Sequence, residues 1–171
     1  KKFRDQVRDF IVPISQKLYA RQAERIGVDK LKIYDEALEF TTGNAKPQGD
    51  AAWIVENGRK MYKEMSPETH EFFEFMIERN LMDLEAKKGK EGGGYCTFID
   101  NYKSPYIFSN FNGTSGDIDV LTHEAGHAFQ VYRSRDLGIP EYFWPTYESC
   151  EIHSMSMEFL AWPWMELFFG E

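Results

Sequence analysis

Apolar side chains at Phe3, Val7, Phe10, Ile11, Ile14 and Leu18 recur at steps of mostly three and four, which predicts an amphipathic helix over residues 3–26. Pro13 should bend or interrupt that helix rather than abolish it, and Gly27 is its natural stop. Val28 to Phe40, carrying Leu31, Ile33, Tyr34, Leu38 and Phe40, reads as a shorter element, and Thr41 to Gly49 as a loop. Asp50 to Met65 predicts a second helix. Ser66-Pro67-Glu68 then offers a cap and a proline at the first helical position, and the next helix is expected to run to about Lys88 with Phe73, Ile77, Leu81 and Leu84 on one side. After the connector Gly89 to Gly94 the pattern changes. Tyr95-Cys96-Thr97-Phe98-Ile99 and Tyr106-Ile107-Phe108 are aromatic and β-branched about a turn-like Asp100 to Pro105, which predicts a small hairpin or two short strands resting on the helices.

The helical period returns with most force at Thr114 to Ser134. Ile118, Leu121, Ala125, Ala128, Phe129 and Tyr132 form an apolar stripe, no proline interrupts it, and Thr114 with Asp117 three residues later forms a capping pair. Within that helix lies His123-Glu124-Ala125-Gly126-His127. Two histidines four residues apart share one face, so both imidazoles can converge on a zinc ion at about 2.0 to 2.1 Å. Glu124 is displaced about 100 degrees around the axis, where its carboxylate reaches the ion's water rather than the ion. Gly126 gives up about 1 kcal/mol of helix propensity against alanine. Close approach of another segment or of substrate backbone would repay that.

Composition narrows the class. A length of 171 residues suits one domain, and two cysteines, Cys96 and Cys150, make no disulfide framework. Each is read as a buried, unreactive thiol, although Cys150 stands three residues from His153. A net charge of −8 argues against a nucleic-acid partner, and Lys1, Lys2, Arg4 and Arg8 read as a solvated face. The glycines of residues 89–94 lack the lysine and hydroxyl of a phosphate loop. No long apolar run suggests a membrane span, and a reducing, cytoplasmic setting is expected. Trp162, Trp164, Leu167, Phe168 and Phe169 look exposed and are expected to pack on the remainder of a larger chain or another subunit, the 171 residues forming one core of it.

A catalytic zinc takes three protein ligands and keeps a fourth position for water. The third is sought on the next predicted helix, Tyr147 to Phe159, which Pro163 should end or kink. Glu151, Glu148, His153 and Glu158 are all candidates there. Glu151 ranks narrowly first, with Glu148 and Glu158 free to orient the histidine rings.

The stretch HEAGHAFQ, His123 to Gln130, followed about two dozen residues later by CEIHSMSMEFL, resembles the thimet-oligopeptidase-like zinc peptidases, and Tyr95 to His127 is most similar to their oligoendopeptidase F branch. The resemblance implies a mainly α, multi-helix zincin-like catalytic core with a small hairpin or short strands near residues 95–108. It implies one zinc ion held by His123, His127 and Glu151, Glu124 as general base, and Glu158 as a second acidic position of the same stretch. It further implies endopeptidase action on short, unfolded peptides in a deep channel, with the strand near Tyr106 to Ser109 pairing with substrate backbone.

Tyr147, Tyr132 and His153 are candidate extra donors to the oxyanion, each also readable as a packed structural residue. The rival from another class is a non-catalytic, zinc-stabilised helical interaction module. Such a site would be closed by a fourth protein ligand, for which His153 or Cys150 is the source at hand.

Overall fold

A computed structural model describes residues 1–170, and the chain divides into two compact units, Lys1–Ala45 and the chain from Lys46 onward. The first unit is one long helical rod: α1 (Lys2–Gln6), a π-helical turn Val7–Ile11, and α2 (Val12–Ile26). Pro13 sits in the first turn of α2, and the residue whose carbonyl its ring crowds, Asp9, lies inside the π turn. The irregularity expected of Pro13 is thus absorbed one turn upstream. Gly27 ends α2 in the left-handed conformation, at φ 76°.

Val28 to Phe40 forms no regular element, contrary to the apolar pattern. Side chains hold it instead: Gln22 Nε2 donates to the carbonyls of Glu36 and Leu38, and Arg25 pairs with Glu39. Ile33 and Tyr34 remain exposed, so that pattern has no face to bury within its own unit.

The second unit is built on α3 (Ala51–Met65) and α4 (Pro67–Glu78). Asp50 caps α3 by accepting from the Trp53 N–H, and Ser66 caps α4 by accepting from Thr69. Helix α4 stops ten residues short of the expected Lys88. Asn80 takes up φ 54°, the Leu81 N–H bonds back to the Met76 carbonyl and the Asn80 N–H to that of Ile77, which is a left-handed helix stop. The chain leaves it as a strand, β1 (Met82–Glu85), and continues into β2 (Tyr95–Ile99) and β3 (Ser104–Phe111).

These form a three-stranded sheet in the order β1-β3-β2. The hairpin is antiparallel, with Cys96 opposite Ile107 and Thr97 opposite Tyr106, while β1 runs parallel to β3 with Met82 opposite Ile107. Strand β3 is paired on both sides, so β2 is an edge.

Across this sheet lies α5 (Gly116–Ser134), followed by α6 (Tyr147–Ala161) and a short α7 (Glu166–Phe169). The expected stripe is confirmed: Ile118, Leu121, Ala125 and Ala128 are fully buried and Tyr132 nearly so, in a core shared with Ile54, Met61, Phe72, Phe73, Met76, Ile107 and Phe168. The start of α5 differs from expectation. Thr114 donates its hydroxyl to Asn112 instead of capping, and the buried Asp117 carboxylate accepts the backbone N–H groups of Asn112 and Gly113, satisfying the loop before the helix.

The aromatic C-terminal stretch is largely inside. Phe168 is buried, Trp164, Leu167 and Phe169 pack partly on the core, and the Trp164 indole donates to Glu64. Trp162, beside Phe159, stays exposed.

The Tyr62 hydroxyl is fully buried with no hydrogen-bond partner among the described residues, and its ring packs on Phe73. Tyr62→Phe should therefore raise stability, by about 1 kcal/mol, because an unsatisfied buried polar group is removed and no bond is lost. Denaturant unfolding of the two proteins checks the sign.

Candidate metal centre

Helices α5 and α6 pack so closely that the site owes its geometry to one residue. A Cβ at Gly126 would stand 2.6 Å from the Ser154 Cα and 2.9 Å from the His153 carbonyl oxygen. Both neighbours are backbone and cannot rotate away. Of the two reasons open for Gly126, close approach of another chain segment is the one observed. Gly126→Ala should force α6 outward, costing about 1–3 kcal/mol of stability as overpacking does. Thermal unfolding together with bound-metal analysis checks it.

That contact brings α6 side chains over the α5 histidines. Glu151 Oε2 lies 3.2 Å from His123 Nε2 and 3.8 Å from His127 Nε2. Donor atoms of the three residues all fall within 4.8 Å of one another, a group able to hold a metal ion. Ligands about 2.05 Å from one tetrahedral ion stand about 3.3 Å apart, so the spacing fits a zinc-sized site. The donor set, two imidazole nitrogens and one carboxylate, also suits zinc.

The surroundings orient these donors. Glu158 Oε1 lies 2.5 Å from His123 Nδ1, which places the proton on Nδ1 and leaves the Nε2 lone pair facing Glu151. The Ser154 hydroxyl donates to Glu151 Oε2 at 3.0 Å. Sequence reasoning did not single out Ser154, although its place one turn after Glu151 is the available signal. The His127 imidazolium is disfavoured, first by burial and then by the charge His123 can carry, so a neutral ring with a free lone pair is favoured.

Glu124 is buried, at 8% exposure, and lies outside the three-donor group. Its carboxyl is pushed up from the usual range by desolvation, with Glu151's charge adding; the His123 charge and the Cys96 backbone N–H on β2 oppose this. Asp119, one turn before His123, is also raised, first by desolvation and then by the charge of Glu158, and it too escaped the sequence reading.

The remaining candidates separate. Glu148 and His153 are exposed and stand outside the donor group. Tyr147 is 91% exposed and lines the cleft. Tyr132 is buried in an aromatic cluster with Phe72 and Phe75 and donates its hydroxyl to Glu71, a structural role. Both cysteines border the site. Burial, before any other cause, raises each thiol and keeps it protonated, and Cys150 donates to the Pro145 carbonyl.

A cleft of about 340 Å³ opens over these groups, lined by Gly94, Tyr95 and Cys96 of the β2 side, by His123, Glu124 and His127, and by Trp144, Tyr147, Cys150 and Glu151. The strand at this cleft is β2. Tyr106 to Ser109 lies in the central strand, whose backbone is already paired on both sides, so the expectation that it meets substrate is corrected. Among the described residues, no helix is long and apolar enough to cross a membrane.

A helical core whose central helix carries an H-E-x-x-H pair beneath a carboxylate from the following helix is the architecture of a metallopeptidase core. The chain belongs to peptidase family M3, whose family model matches residues 1–169. It is similar to the solved structure of Pz peptidase A with an inhibitor, at 73% identity and a TM-score of 0.95, over 98% of this chain and 30% of that one. A structure described as an oligoendopeptidase F from Bacillus anthracis is 70% identical, with a TM-score of 0.95, over 98% of this chain and 31% of that one. A peptidase structure from Chlamydophila abortus, at 19% identity and a TM-score of 0.67, shares the fold alone. No curated protein matches the chain. The chain thus spans about a third of the length of the structures it matches.

Proposed function

We propose that this chain is the catalytic core of a larger zinc-dependent oligopeptidase that hydrolyses internal bonds of short peptides. The observation that carries the reading is the convergence of His123, His127 and Glu151 beside a buried glutamate that does not join them. His123 and His127 would hold one zinc through Nε2, and Glu151 would hold it through Oε2. When bound, the ion supplies Lewis acidity toward water and the scissile carbonyl.

Glu124 takes the proton of the attacking water and returns it to the leaving amine. Its burial keeps the carboxyl nearer the working pH than an exposed glutamate would be, which favours both transfers. Glu158 holds the His123 ring in one tautomer and does not touch substrate. Tyr147, exposed at the cleft, is the donor best placed to meet the oxyanion.

Substrate main chain adds along the edge of β2, where, among the described residues, an extended peptide finds backbone groups that no other strand pairs. The rest of the parent chain supplies the remaining walls of the channel and covers exposed apolar side chains such as Trp162. With two free cysteines, the protein is assigned to the cytoplasm. Among the described residues the donor group comprises three side chains, so a bound ion would keep a position for water, which favours this reading over a closed structural zinc site.

The test pairs metal analysis with cleavage of a quenched short peptide by the complete polypeptide. One zinc per chain is expected, with cleavage abolished by a chelator and restored by zinc. Undiminished cleavage after the metal has been stripped would overturn the proposal.

A further inference from the structure

The glycine-rich connector between β1 and β2, residues 86–94, is held at two points. Lys90 is the first. Its side chain is only 7% exposed, and its ammonium donates to the carbonyls of Asp83 at 3.0 Å and Glu85 at 2.8 Å and pairs with the Asp83 carboxylate at 3.2 Å. Three acceptors thus meet the three donors of the ammonium. The second point is Asn110 of β3, whose Nδ2 donates to the carbonyls of Glu91 and Gly93. Desolvating a lysine is costly, and a connector that only joined two strands would have no use for a buried one.

The clamp reaches the metal cleft. Asp83, Phe108 and Tyr95 stand opposite one another on β1, β3 and β2, forming one row across the sheet. Lys90 Nζ lies 4.5 Å from the centroid of the Phe108 ring, and the Tyr95 ring stacks on that same ring at 5.0 Å with the planes 14° apart. Gly94, at the end of the clamped connector, packs so closely on α5 that a Cβ there would stand 3.2 Å from a Val120 methyl. Gly94 and Tyr95 both line the cleft. Two lines of contact therefore run from Lys90 to the cleft rim, one through Phe108 and one through the connector backbone.

We propose that Lys90 is a positioning residue for peptide binding: locked over the row of Asp83, Phe108 and Tyr95, it fixes the connector so that Gly94 and Tyr95 present the start of β2 to an extended substrate. The inference rests on the hydrolytic reading above, in which substrate main chain follows the edge of β2. Binding of a strand to a strand needs its backbone groups aligned beforehand, so a rim that wanders loses affinity while the donor group on α5 and α6 stays intact.

The test uses the complete zinc-loaded polypeptide and a quenched short peptide. Lys90→Met keeps the length of the stem and removes all three donors. It should raise KM by about tenfold and lower kcat by less than about threefold, with zinc content unchanged. Asn110→Ala unties the same connector from β3 and should move KM in the same direction, and it decides the matter if Lys90→Met does not fold. A merely structural lysine would instead lower the folded fraction, reducing kcat and leaving KM alone. Unchanged KM in a folded Lys90→Met, or in Asn110→Ala where that variant decides, would overturn the assignment.

Binding of the same peptide to zinc-loaded Glu124→Gln, with and without Lys90→Met, reads the rim without turnover. Binding weakened about tenfold by Lys90→Met supports the positioning role even if no peptide is cleaved, in which case it is the hydrolytic reading that fails. Equal affinity of the two proteins overturns the positioning role alone.

Discussion

Glu124→Gln should lower kcat for peptide cleavage by about 10²–10⁴-fold, the usual contribution of a positioned base, while zinc content and thermal stability stay near those of the parent. Glutamine keeps the volume and one carbonyl oxygen but cannot accept the water's proton. Glu124 lies outside the donor group, so the metal should remain. Its carboxylate is also desolvated and beside Glu151, both of which oppose the charge, so a neutral amide should not harm the fold. Metal analysis and single-turnover cleavage of the same preparation separate the two effects. A variant that keeps full zinc-dependent turnover would remove Glu124 from the mechanism.

Glu151→Ala should instead abolish activity through the metal. Loss of one of three ligands should weaken zinc binding by more than the 10–100-fold typical of losing a group that only orients a ligand, and Glu158→Gln supplies that comparison. The Glu151 side chain is about half exposed and forms no part of the apolar core, so the fold should survive its truncation. Competition with a chromophoric chelator gives the two affinities. Should Glu148→Ala or His153→Ala strip the metal while Glu151→Ala keeps it, the third ligand would have been chosen wrongly.

The chain by itself determined the parts governed by local physics. The spacing of Ile118, Leu121, Ala125 and Ala128 fixed which face of α5 is buried, and the four-residue step between His123 and His127 put both rings on one side. Asp50 and Ser66 marked helix starts correctly because a cap needs only its own next few residues. Where a local signal was passed over, the element was misjudged. Leu81 and Leu84 continued the helical spacing of Phe73 and Ile77, but Asn80 could adopt the left-handed turn that ends α4, and the alternation of Met82 to Glu85 then found a partner in β3.

Tertiary structure decided everything that joins distant residues. Which of four acidic or imidazole groups on α6 meets the histidines depends on the rotation and distance of one helix against another, and Gly126 sets that distance through contact with Ser154, 28 positions further on. The strand that faces the cleft was likewise beyond reach, since only the pairing of β1 closes the far side of β3 and leaves β2 as the free edge of the hairpin. Sequence period encodes which way a side chain points from its own element. Convergence of side chains from two elements requires their packing, and that is where the donor group arises.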